Sequence, residues 1–223
     1  MQRHFDEELG QLKDKLFKMG LMVEEAIRNS VQSLIKRDLK LAEGVIEEDQ
    51  KINIIEIEID EFGHELIALR QPTAVDLRFI TMVLKINSDL ERMGDQAVNI
   101  AEKAIALGRE APLKSYLDIP KMADLAIAMV KDSLDSFIER DAAKAKAICE
   151  RDDELDNLNR QVYSELQEAM KKQAIEVSNA VSLIMVAHNL ERIGDLGTNI
   201  AEDVIYLAKG IDIRHHITER RGD

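Results

Sequence analysis

The chain has 223 residues, 45% of them hydrophobic, which is enough apolar material for a folded core and excludes a disordered tail. One third of the residues are charged, prolines number three, and tryptophan is absent, a composition that predicts mostly helix. The formal net charge is −13, which repels nucleic acid and anionic lipid and attracts cations or basic protein surfaces.

The single cysteine, Cys149, excludes an intrachain disulfide and points to a reducing, cytoplasmic setting. The opening MQRHFDEELG lacks an apolar signal core. The aliphatic run at Leu183–Ala187 is far shorter than the ~20 residues of a membrane-spanning helix. The expectation is a protein not inserted in a membrane, able to dock on a membrane protein.

Apolar residues recur at helical spacing in six stretches, predicting helices over 5–37, 38–69, 73–108, 119–140, 141–172 and 175–209. Asp38 and Asp141, each after an arginine in IKRD and IERD, are predicted N-caps of the second and fifth helices. Pro72 stops the second helix, and Thr73 with Asp76 reads much like a capping box opening the third. The stretch REAPLKSYLDIP is the candidate linker, and Gly210 reads as a C-cap.

The two halves repeat each other. Ile35–Asn53 matches Ile138–Asp156 at an offset of 103, and the third helices match at an offset of 100. In LERMGDQAVNIAE (Leu90–Glu102) and LERIGDLGTNIAE (Leu190–Glu202), nine of thirteen positions are identical. The fold class is therefore all-α, a tandem duplication of a three-helix bundle with internal pseudo-twofold symmetry. Its units are assigned to 1–112 and 113–223.

The repeated stretch carries the chemistry. Glu91, Asp95, Asn99 and Glu102 fall within about 80° of one helix face, roughly 100–140° from the leucine–glycine–alanine stripe. Their twins are Glu191, Asp195, Asn199 and Glu202. Gly94 and Gly194 lie in the apolar stripe, where a missing side chain admits a close neighbour. A second row stands on the middle helices: Asp49 and Asn53, continued by Glu56 and Asp60, with Asp152 and Asp156 as counterparts, followed by Asn159. Were middle and third helices to pack antiparallel, these rows would face each other, and a hard cation held by oxygen donors would relieve their repulsion. An i,i+4 acid pair on an acidic helix is ordinarily a solvated face, and Arg92 and Arg192 could supply weak surface ion pairs. Retention of the acids in both copies, while Met93 faces Ile193 and Val98 faces Thr198, favours metal.

Other motifs weigh less. Glu61-x-x-His64 fits a di-iron bundle motif, yet its twin Ser164–Gln167 carries neither residue. His188 reads as a surface or interface histidine, His215 and His216 have no partner spacing, and Cys149 reads as a small core residue. No phosphate-cradling glycine loop and no nucleophilic triad is present.

RQPTAVDLRF (Arg70–Phe79), LERMGD, LERIGD and the ending KGIDIRH (Lys209–His215) together resemble the PhoU family over essentially the whole chain. The resemblance implies two symmetric three-helix bundles with surface metal sites. Site one is Asp49, Asn53, Glu91 and Asp95; site two is Asp152, Asp156, Glu191 and Asp195. Asn99, Glu102, Asn199 and Glu202 are additional ligands or supports. The implied metals are iron or zinc, with manganese or magnesium as alternatives, as single ions or clusters. The implied role is non-catalytic: a negative regulator of phosphate-starvation signalling that links a phosphate ABC transporter to a sensor histidine kinase. A homodimer is the expected assembly. The chain departs from the pattern at Asn53, which leaves site one poorer by one charge, and at Ser178, the twin of Arg78. The rival readings are a carboxylate-bridged di-metal oxidoreductase and a metal-free helical scaffold.

Overall fold

In the computed structural model, residues 2–109 and 118–209 are described. Gly210, His215, His216 and most of the KGIDIRH ending lie outside that range, as do residues 110–117 of the linker stretch. Six helices follow in order: α1 Gln2–Lys36, α2 Leu39–Arg70, α3 Ala74–Gly108, α4 Ile119–Glu139, α5 Ala142–Lys171 and α6 Val177–Lys209. No strand occurs among the described residues.

The duplication is visible at atomic detail in the first turn of each half. Ser30 and Ser33 donate to the Ile27 and Ser30 carbonyls; Ser133 and Ser136 donate to those of Val130 and Ser133. Arg37 and Arg140 then turn left-handed at φ 56° and 54°. Asp38 accepts from the Leu41 amide at 3.1 Å, and Asp141 from the Ala143 and Lys144 amides at 2.8 and 3.1 Å. Each cap satisfies amides that the helix leaves orphaned. Thr73 departs from the expected capping box. It is the N-cap of α3, but its hydroxyl donates to Asp76 Oδ2 at 2.7 Å and accepts no amide.

The short turns make neighbours antiparallel. Along α2 and α3, Leu39 lies against Gly108, Asp49 and Ile52 against Gly94, Glu56 and Asp60 against Asn87, and Gly63 against Leu84. The paired numbers sum to a near-constant value, the signature of antiparallel register. α2 packs on α1 and α3, and α5 on α4 and α6; the halves join through α1 with α4 and α3 with α6. The middle helices are therefore the outer edges of the molecule. A single apolar core runs through both halves, with Ile27, Ile86, Leu90, Val130, Val186 and Leu190 fully buried. Gly20 is the close approach between α1 and α4: a Cβ there would clash with Leu134 Cδ1.

From Thr81 to Ala101 and from Val181 to Ala201, the succession of buried, half-buried and exposed positions is the same residue for residue. The interface between α3 and α6 breaks the symmetry. Lys85 Nζ pairs with Asp203 Oδ2 at 2.5 Å, whereas the twin positions hold Met185 and Lys103.

Candidate metal centres in the outer grooves

The antiparallel register brings the two predicted acidic rows together in both halves. In the α2/α3 groove, Asp49, Asn53, Glu56 and Glu91 are half-buried and Asp95 is exposed. Burial pushes the Asp49 carboxyl up, partly offset by Asn53 and reinforced by Asp95. Burial also raises Glu91, with the charges of Asp95, Glu56 and Asp49 adding to it. Glu56 is raised by burial, Asp60 and Asp95. Glu56 thus belongs to the first cluster, where its twin is the uncharged Asn159. The first groove holds four carboxylates, from Asp49, Glu56, Glu91 and Asp95, so Asn53 alone does not leave it poorer in charge.

Within this groove Asn53 Nδ2 donates to Asp49 Oδ2 at 3.1 Å. Asp49 Oδ1 and Asn53 Oδ1 are shielded from solvent with no hydrogen-bond partner. Two unpaired acceptor oxygens in a repulsive carboxylate cluster are what a cation satisfies. Gly94 shapes the same spot, since a Cβ there would stand 3.2 Å from Asp49 Oδ1. Asp60, by contrast, is engaged by Asn87 Nδ2 at 2.9 Å.

In the α5/α6 groove the acids converge further. Asp156, Glu191 and Asp195 each place a carboxylate oxygen within 4.8 Å of the others. Asp152 stands beside them: burial, then Asp195 and Asp156, pushes its carboxyl up to about 6. Glu191 and Asp195 are also raised, first by burial and then by neighbouring acids, with His188 opposing. Among the described residues, this three-carboxylate convergence occurs in the second half alone. The difference lies in Asp156, which has Asn53 as its twin; Asn53 draws Asp49 into a pair along α2 instead. The oxygen donors of both grooves fit the divalent or trivalent cations expected there.

The supporting residues are less gathered. Asn99, Glu102 and Asn199 are exposed further along the same face, and Glu202 is half-buried. Cys149 is half-buried at the rim of the second groove. Burial, with Glu202 and Asp152 nearby, pushes its thiol up to about 11, so at neutral pH it is a protonated thiol. His64 contacts the Asp60 carbonyl of its own helix at 2.7 Å and is exposed with Glu61, so their spacing motif does not turn inward. His188, read from sequence as a surface or interface histidine, lies at the second cluster with Nδ1 3.1 Å from Glu191 Oε2. Its i,i+3 spacing to Glu191 is legible in the sequence, but with Ser88 as its twin it stands outside the repeated pattern. Arg78, also without a charged twin, lines a cavity of about 160 Å³ with Val75, Phe79, Arg140 and Leu207.

Comparison with known proteins places the fold in a family. The PhoU domain family matches residues 16–104 and 119–204, one copy per half. A phosphate-specific transport system accessory protein PhoU homolog of Aquifex aeolicus is 42% identical over 97% of this chain and 98% of its own length. A protein of the same name from Pseudomonas putida is 38% identical over 96% of this chain and 84% of its own. The crystal structure of PhoU from Pseudomonas aeruginosa superposes with a TM-score of 0.89 at 36% identity, covering 93% of this chain and all of that one. The phosphate transport system regulatory protein PhoU from Streptococcus pneumoniae gives 0.87 at 31%, covering 94% and 99%. With both domain copies matched and an all-helical fold shared along the chain, this protein belongs to the PhoU family.

Proposed function

We propose that this protein is a metal-binding regulatory adaptor of phosphate uptake that restrains phosphate-starvation signalling. Its relatives are named as accessory proteins of the phosphate-specific transport system, and one solved relative as a regulatory protein of phosphate transport. In this reading it contacts a phosphate ABC transporter and a sensor histidine kinase at the inner face of the membrane. No described helix is long and apolar enough to cross the membrane, so contact runs through protein surfaces. The role is regulatory and not catalytic, and a dimer is the proposed assembly.

The observation that carries the metal reading is the set of clustered carboxylates in each groove, raised by burial and mutual repulsion, with unpartnered oxygens on Asp49 and Asn53. Asp49, Asn53, Glu56, Glu91 and Asp95 would hold one centre, and Asp152, Asp156, Glu191 and Asp195 the other. Iron and zinc are favoured, with manganese and magnesium as oxygen-loving alternatives. A bound cation would neutralise each groove and fix the relative position of middle and third helices, giving a partner a rigid face.

Two measurements test the reading. Metal content of the purified chain should fall in Glu91→Ala/Asp95→Ala and again when Glu191→Ala/Asp195→Ala is added; equal content in all three proteins removes both centres from the argument. A strain lacking the protein should express a phosphate-starvation reporter in high phosphate. Normal repression in that strain defeats the adaptor role.

A further inference from the structure

The two centres are built by one duplicated sequence, so any position where the copies differ inside the grooves is informative. Four such differences lie at the two clusters: Asn53 opposite Asp156, Glu56 opposite Asn159, Ser88 opposite His188, and Val98 opposite Thr198, whose hydroxyl lies at Asp152. The first two exchange one oxygen donor for another. The third adds a nitrogen donor to the second half alone.

Its placement is specific. His188 precedes Glu191 by one helical turn on α6, which puts both side chains on the groove-facing side. Nδ1 lies 3.1 Å from Glu191 Oε2. That oxygen is shielded from solvent, and His188 both hydrogen-bonds and attracts the Glu191 carboxylate. Two donors bound side by side to one ion at about 2.0–2.1 Å are separated by roughly 2.9 to 3.3 Å, depending on coordination angle. The observed spacing falls in that interval. Glu191 is also one of the three residues whose carboxylate oxygens converge within 4.8 Å.

We infer that His188 is a direct ligand of the second centre, completing a mixed nitrogen–oxygen set with Asp156, Glu191 and Asp195. The two centres are therefore chemically unequal. The second selects a borderline transition ion such as zinc or ferrous iron, for which imidazole is a good donor. The first, with carboxylates and an amide oxygen, takes a harder ion and binds zinc less tightly. This rests on the metal reading above, and it adds the identity of a donor and a ranking of the two sites. His188 is exposed, with 58% of its side chain accessible, so its removal leaves the fold intact and reports on the site alone.

The test uses the full chain loaded with zinc, and in parallel with manganese. Zinc K-edge absorption should show imidazole scattering at about one ion in two, lost in His188→Ala and kept in His64→Ala. Zinc affinity at the tighter site should fall tenfold or more in His188→Ala, while manganese affinity stays within twofold. Zinc bound at full stoichiometry without a His188-dependent imidazole signal, or with unchanged affinity in His188→Ala, overturns the inference and leaves the metal reading standing. Absence of zinc, iron and manganese binding by the unmodified chain overturns both.

Discussion

Asn53 Nδ2 donates to Asp49 Oδ2 across one turn of α2, and this bond is one of the features that distinguish the two centres. It draws Asp49 toward its own helix, while the twin pair Asp152 and Asp156 repel each other. Asn53→Asp should make the first groove resemble the second. Without metal the variant should be about 1–2 kcal/mol less stable, because a further buried charge lacks a partner. Divalent cations should restore that stability and bind more tightly than in the parent. Denaturant unfolding with and without zinc reads both effects, and a variant insensitive to zinc contradicts this account of the groove.

The glycines separate steric from electrostatic effects. In Gly194→Ala the new Cβ would clash with Leu155 Cδ2, so the leucine must move. Overpacking of this kind costs about 1–3 kcal/mol, against roughly 1 kcal/mol gained in helix propensity. In Gly94→Ala the contacts are 3.2 Å to Asp49 Oδ1 and 3.4 Å to Ile52. Stability should hardly change, but the Asp49 carboxylate is displaced. Calorimetric metal titration should show weaker binding at the first centre without a loss in thermal stability.

Between the halves, burial pushes the Asp89 carboxyl up to about 6, with Asp203 adding and Lys85 and Arg92 opposing. The native state then holds that proton more tightly than the unfolded chain, whose carboxyl titrates near pH ~4. Between those values the folded form binds more protons, so stability falls as pH rises from about 4 to about 6. Asp89→Asn, which copies the twin Asn189, should raise stability at pH 7 by about 1 kcal/mol after discounting partial exposure and the lost Arg92 and Lys85 contacts. At pH 4 the gain should vanish. Thermal melts at the two pH values check the sign.

The grooves follow the same rule with a different outcome. Asp49, Glu56, Glu91, Asp152, Glu191 and Asp195 all have raised carboxyls. Chelator-treated protein should therefore lose stability as pH rises above the ordinary carboxyl range, to about 6 for Asp152. A cation requires the ionised carboxylates and stabilises only the folded form. The difference in melting temperature between metal-loaded and chelated protein should grow from pH 5 to pH 7.5. A constant difference argues that metal binds outside these clusters.

Periodicity alone placed all six helices, because each buries a long apolar stripe that turn residues interrupt. Duplication was legible because Glu91, Asp95 and Gly94 recur as Glu191, Asp195 and Gly194 at one offset. The sequence by itself also determined that the acids sit off the apolar stripe, since helical angles follow from spacing. Tertiary structure decided what those acids face. Only the α2/α3 register puts Glu56 near Glu91, and only side-chain positions separate the Asn53–Asp49 pair from the convergent triad of Asp156, Glu191 and Asp195. His188 was invisible to the repeat, because symmetry arguments count what two copies share. Its i,i+3 spacing to Glu191 is written in the sequence, but only the packed groove puts that pair beside the carboxylates of Asp156 and Asp195.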